Sequence, residues 1–362
     1  MQRPALRGTI VALLSALAFG LTTPLVQKLA RGTGAFTTAA LLYAGAAVVG
    51  AVTRSKDEAP LRKEHAKRVA LLAFFGALLA PAALAWGLAR ASGTAASLML
   101  NLEGVFTLAL ARVFHAEHIG RRVAFAAGMM LVAGGLLVFD RSEAAGATSA
   151  IGLAAIAFAS LGWAIDNTLA KPLAALDPSA VVAAKAALGA VLSTSAAFAL
   201  GETWPSAAAC AGLALVGATG YGLSLRLYLR AQRELGAGRT GSVFASAPFW
   251  GAALAWALGE HAGPFTAIAA VLMIVGLVLH LTEHHSHAHV HEPLEHEHPH
   301  SHDDGHHDHV HDPMPVGEHT HPHRHSRLVH DHPHVPDLHH EHGHEHRHER
   351  EHVNGGSVNE KE

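Results

Sequence analysis

The chain has 362 residues, half of them hydrophobic and 15% charged, with a net charge of −3. That near-neutral total joins two opposed regimes: residues 1–282 carry 21 Lys and Arg against 12 Asp and Glu, and the remainder 5 against 17. No basic groove points to nucleic acid, no phosphate loop or nucleophile motif marks an enzyme, and the single cysteine, Cys210, excludes an intramolecular disulfide and reads as a small packing residue.

From the N-terminus to Thr282 the sequence is a succession of apolar runs, each near the roughly 20 residues that a helix needs to cross a bilayer. The predicted spans are 9–29, 35–53, 69–89, 92–114, 122–139, 149–171, 179–200, 207–229, 237–258 and 264–282. Links such as RGTGA, DPS and GETWPS are short and rich in turn formers, which suits hairpins between adjacent helices. The fold class expected is therefore all-α and integral to the membrane.

The basic opening MQRPALR followed by Ala16-Leu17-Ala18 also fits a leader with its cleavage site. The retained-span reading is preferred because residues just beyond that point recur later in the chain. Loops on the N-terminal side of the predicted spans hold sixteen Lys and Arg and the opposite loops four. The positive-inside rule then places both termini in the cytoplasm of an inner (plasma) membrane.

Comparing the chain with itself reveals an offset of 143 residues. Lys28 pairs with Lys171, Gly93 with Gly236 and Phe106 with Phe249, while Glu117, His118 and Gly120 pair with Glu260, His261 and Gly263. Five spans per copy is an odd number, so the second copy enters the membrane from the opposite side. Such inverted repeats are characteristic of secondary transporters, in which two similar halves rock about one central site. The domains expected are residues 1–145, 146–282 and a tail from 283 to 362.

Residues 102–139, beginning LEGVFTLALARVF, and 235–280, beginning LGAGRTGSVFASAPFW, resemble the closing halves of two EamA domains of the drug/metabolite transporter superfamily. The resemblance covers about residues 5–282 and none of the tail. Leu102-Glu103-Gly104-Val105-Phe106 has Gly where the family usually has Pro, and Pro248 stands beside Phe249 in the second copy. The resemblance implies ten helices in two five-helix repeats that export or import amino acids or other small metabolites.

Ionisable groups deep in a span are costly and tend to face a cavity or a partner. On that ground the expected substrate pathway comprises Asn101, Glu103, Trp163, Asp166, Asn167, Lys185 and Trp250. An acid and a base at one site would suit a zwitterion such as an amino acid. The competing reading for Asp166 and Lys185 is a structural pair, or a lysine snorkelling to the cytoplasmic face. Lys28 and Lys171 read as topology-setting helix ends. Glu117 and Glu260 read as turn or gate residues, and Trp86, Trp256 and Tyr221 line the path or anchor packing.

After residue 282 the chain carries 27 of its 32 histidines. Neutral imidazole binds zinc, nickel and cobalt. The candidate ligands are His284, His285, His287, His289, His291, His296, His298, His300, His302, His306, His307, His309, His311, His339, His340, His342, His344, His346 and His348. Their irregular HxH spacing predicts many exchangeable sites in a disordered segment, with no cofactor required. The expected partners are a small-molecule substrate, the lipid bilayer and divalent ions at the tail, with a homodimer left open. Metal as cargo, or the whole chain as a tethered metal buffer or sensor, are the rival readings.

Overall fold

The structure is a computed structural model that describes residues 3–54, 59–115, 120–139, 149–173, 176–235, 237–281 and, beyond them, 286–291, 295–300, 319–324 and 328–333. Fifteen α-helices follow one another: α1 Arg3–Gly20, α2 Thr22–Leu29, α3 Ala35–Val52, α4 Ala66–Leu72, α5 Ala80–Leu88, α6 Gly93–Met99, α7 Leu102–His115, α8 Arg121–Leu136, α9 Ala150–Ala170, α10 Pro178–Ala199, α11 Ala207–Gly217, α12 Ser224–Leu235, α13 Ala237–Phe244, α14 Ala247–Ala257 and α15 Pro264–Leu281. Among the described residues eight continuous or jointed stretches are long and apolar enough to cross a membrane, the first Leu6–Leu29 and the last Ala207–Leu235. A broken ninth stretch, α13 with α14, and α15 follow them. The eighth runs beyond its predicted end at 229, because Ser224–Leu235 continues the helical pattern with an increasingly polar composition.

The joints have local causes. Pro24 lacks an amide hydrogen, so the Gly20 carbonyl loses its helical partner where α1 gives way to α2. Pro248 plays the same part at the start of α14. Between α4 and α5 the chain forms a π-turn, Ala73–Leu79, and between α11 and α12 a second, Ala218–Leu223. The two occupy nearly equivalent positions at the 143-residue offset. Wide turns of this kind release a carbonyl from the helical ladder, and Pro81 adds to the effect by leaving the Ala77 carbonyl to the Ser193 hydroxyl at 3.5 Å.

Helix-end contacts sort into two sets. At one end the start of α1 meets the end of α12 through Arg7 and Glu234, 3.8 Å apart. The Thr53 hydroxyl also meets that of Ser179 there, at 3.1 Å. At the other end Thr203 donates to the Gly32 carbonyl at 2.8 Å, and the Ser149 amide to the Arg90 carbonyl at 2.9 Å. Alternately rising and falling helices produce this sorting. Helices approach through small residues, as membrane packing favours: a methyl group at Gly45 would overlap the Ala214 carbonyl, and one at Gly217 that of Leu42. The outward faces carry Leu13, Val48, Phe125, Val132, Phe158, Val191 and Val271, all exposed, as a surface bathed in lipid requires.

Among the described residues of the His-rich segment lie four strands: β1 Ser286–His291, β2 Glu295–His300, β3 His319–Arg324 and β4 Leu328–Pro333. β1 pairs antiparallel with β4, and β2 with β3. These four segments fall within the stretch expected to lack regular structure, and their alternating HxH has the period of a strand. In this register His287 faces His332 and His289 faces His330, while His296, His298 and His300 face His323, His321 and His319. The predicted ligands His284, His285, His302, His306, His307, His309, His311, His339, His340, His342, His344, His346 and His348 lie outside the described residues.

Candidate functional site

The centre of the site is one carbonyl freed by the first π-turn. Gly76 O accepts hydrogen bonds from the Tyr43 hydroxyl and from Trp163 Nε1, the latter at 3.1 Å. The Asp166 carboxylate lies directly over the Gly76 Cα, where any β-carbon would overlap it. Asp166 Oδ2 is paired with Lys185 Nζ, and the two side chains retain only 6% and 9% exposure. Pairing across the turn between α9 and α10 explains how both charges are tolerated at membrane depth. Lys185 therefore does not snorkel to an interface; its ammonium ends on Asp166.

One helical position further on, Asn167 donates to Glu103 Oε1 at 2.8 Å, joining α9 of the second repeat to α7 of the first. Glu103 is within electrostatic range of Asp166, Lys185 and the tyrosines 43, 221 and 228. It is half-buried, while Asp166 and Lys185 lie deeper. Aromatic rings close the other side. Phe19 packs against Trp163, Tyr221 and Phe244 at 5.8, 5.7 and 5.5 Å between centroids, and Tyr221 against Tyr43 at 5.4 Å. One buried polar atom in this group, Asp166 Oδ1, has no hydrogen-bond partner among the described residues.

The structure thus gathers Glu103, Trp163, Asp166, Asn167 and Lys185 of the expected pathway into one cluster, fed by both repeats. Two expected members lie elsewhere. Asn101 donates to the Leu98 carbonyl at 3.1 Å and to Met273 Sδ at 3.6 Å, because the break between α6 and α7 turns it toward α15. Trp250 is 43% exposed on the outside of α14. Trp86 and Trp256 are also exposed, and Arg90 covers the Trp86 ring at 3.6 Å. Lys28 is exposed in the last turn of α2.

Phe19, Tyr43, Gly76, Tyr228 and Phe244 carried no sequence signal as site residues. An apolar aromatic inside an apolar span looks the same whether it faces lipid or a partner ring. Glu202 stands in the turn-rich link GETWPS, and its Gly-Glu pair repeats at 259–260. Among the described residues no three His, Cys, Asp or Glu side chains converge as a metal-ligand set.

The EamA-like transporter family matches the chain twice, over residues 6–139 and 150–282. The chain belongs to the EamA-like transporter family. It is a multi-pass membrane protein of a family of small-solute transporters, built from two repeats of that unit. Among solved structures, one described as "Crystal structure of protein" has a TM-score of 0.55 and 17% identity, and the match covers 75% of this chain and 95% of that chain. That likeness concerns the fold. No curated protein matches the chain.

Proposed function

We propose that this EamA protein is a secondary transporter, most simply an exporter from the cytoplasm across the inner membrane, of a small zwitterionic metabolite such as an amino acid. On this reading ten crossings form two inverted repeats that alternate about the central cluster. The observation that carries it is the meeting of Glu103, Asp166, Asn167 and Lys185 with Trp163 where the two repeats join. A carboxylate and an ammonium side by side match the charges of a zwitterion, and the second Asp166 oxygen offers it a further polar contact. The aromatic group supplies an apolar wall for a side chain.

The test is counterflow of labelled amino acids in proteoliposomes holding the full chain or a chain ending at Thr282. Flux of at least one amino acid that persists without the tail and falls at least tenfold in Glu103→Ala supports the reading. Absence of amino-acid flux, with zinc, nickel or cobalt flux lost in Glu103→Ala, would replace it with the metal-cargo reading.

For the tail the reading is reversible binding of zinc, nickel or cobalt as a buffer or regulator at the cytoplasmic mouth. In the pairing of β1 with β4, His287 stands in register with His332 and His289 with His330. In the pairing of β2 with β3, His296, His298 and His300 stand in register with His323, His321 and His319. Rows of neutral imidazoles suit these metals. Metal taken up by the full chain and not by the chain ending at Thr282 tests this reading.

A further inference from the structure

Two helix ends in this protein finish in the same way. At the end of α10 the amides of Gly201 and Glu202 bond back to the carbonyls of Phe198 and Ala197, at 3.1 and 2.9 Å. At the end of α14 the amides of Gly259 and Glu260 bond back to Trp256 and Ala255, at 2.9 and 3.1 Å. Both glycines are left-handed, with φ of 63° and 95°, a conformation that closes a helix and redirects the chain. The residue delivered by each turn is a glutamate.

Each glutamate then caps a helix of the other repeat. Glu202 accepts from the amides of Phe36 and Thr37 at 3.2 and 2.8 Å and from the Thr37 hydroxyl at 3.1 Å, at the start of α3. Glu260 accepts from the amides of Gly93 and Thr94 and from the Thr94 hydroxyl, all at 2.8 Å, at the start of α6. Charge-assisted bonds of this kind are among the stronger ones a protein makes. Both contacts lie at the same end of the bundle, and both tie the second repeat to the first. The fit is close: a methyl group at Gly34 would overlap the Glu202 carboxylate, and one at Gly93 would stand 3.0 Å from Glu260 Oε1 and 2.7 Å from Gln27 Oε1.

Behind this line the chain is closely packed. Every residue of α6, Gly93 through Met99, is buried. Beyond the joint, on α7, Glu103 is half-buried and Gly104 and Ala109 are exposed. The segment behind the two glutamates is therefore tightly packed, and α7 beyond the joint is less so.

We propose that Glu202 and Glu260 are a paired latch that holds this end of the inter-repeat crevice closed and releases when the protein turns to its other access state. The inference rests on the transport reading above for its purpose, and on the hydrogen bonds alone for its geometry. The glutamates are positioning residues: they touch helix ends, not the central cluster.

The experiment uses the full chain in lipid nanodiscs, with Cys210→Ser and a single reporter, Ser97→Cys, which replaces a fully buried hydroxyl one turn below Thr94. Labelling by a membrane-impermeant maleimide is timed. Glu260→Ala and Glu202→Ala, and the milder Thr94→Val and Thr37→Val, are each expected to raise the labelling rate at least tenfold, with Glu260→Asp restoring part of the protection. Ser206→Ala is the control. Ser206 caps α11 at the same end, through Ala209 N at 3.4 Å, and bridges no repeats, so its rate should not change.

Labelling unchanged in all four latch variants, or raised equally by Ser206→Ala, overturns the latch. Because labelling needs no substrate, faster labelling without flux of any solute would uphold the latch and sink the transport reading. Normal flux with unchanged labelling would sink the latch alone.

Discussion

Replacing Lys185 with Met tests whether the buried pair is a unit. Asp166 Oδ1 has no partner already, so losing the ammonium would leave both oxygens of a 6%-exposed carboxylate unpaired. Breaking a buried pair from one side costs about 3–5 kcal/mol, because the remaining charge is uncompensated. Replacing both members removes that charge. The double variant Asp166→Asn with Lys185→Met should then lose only about 1–2 kcal/mol, the scale of one unbonded buried amide. Thermal unfolding of the full chain in detergent, followed by tryptophan fluorescence, should show Lys185→Met melting on the order of 10 °C below the parent. The double variant should recover more than half of that loss. A single variant as stable as the parent, or a double variant no better than the single, would refute the reasoning.

Gly76→Ala should be as harmful as Lys185→Met, because the added methyl group occupies the space of the Asp166 carboxylate, whereas Gly104→Ala meets no atom within 4 Å and should stabilise α7 by about 0.5–1 kcal/mol; the two melting curves check both. Trp163→Phe keeps a ring but removes the donor to Gly76 O, so it should cost about 1 kcal/mol, and a larger loss of flux than of stability would mark the ring as a substrate contact. Metal uptake by the tail, read by equilibrium dialysis with nickel, should fall as pH drops through about 6.5, where imidazoles take up protons that compete with the metal. A chain ending at Thr282 should show neither uptake nor that pH dependence.

Much of this protein is written locally. Apolar runs of about 20 residues can do little else in a bilayer than become helices, and the joints at Pro24 and Pro248 follow from a missing amide hydrogen. The left-handed turns at Gly201 and Gly259 follow from a missing β-carbon. Membership of a two-repeat family was legible for the same reason, since repeated composition survives in sequence. The carboxylates and the lysine stood out because a charge in an apolar run is conspicuous wherever it points.

Direction is what the linear chain did not carry. Asn101 and Glu103 are two residues apart, yet the joint between α6 and α7 sends one to Met273 and leaves the other bonded to Asn167. Trp163 and Trp250 sit in equally apolar segments, and only helix rotation puts one over Gly76 O and the other on the outer surface. Glu202 looked like a loop residue until α3 was brought beneath it, 165 residues away in sequence. Packing of one repeat against the other decides these contacts, because a hydrogen bond between distant segments has no signature in either segment alone.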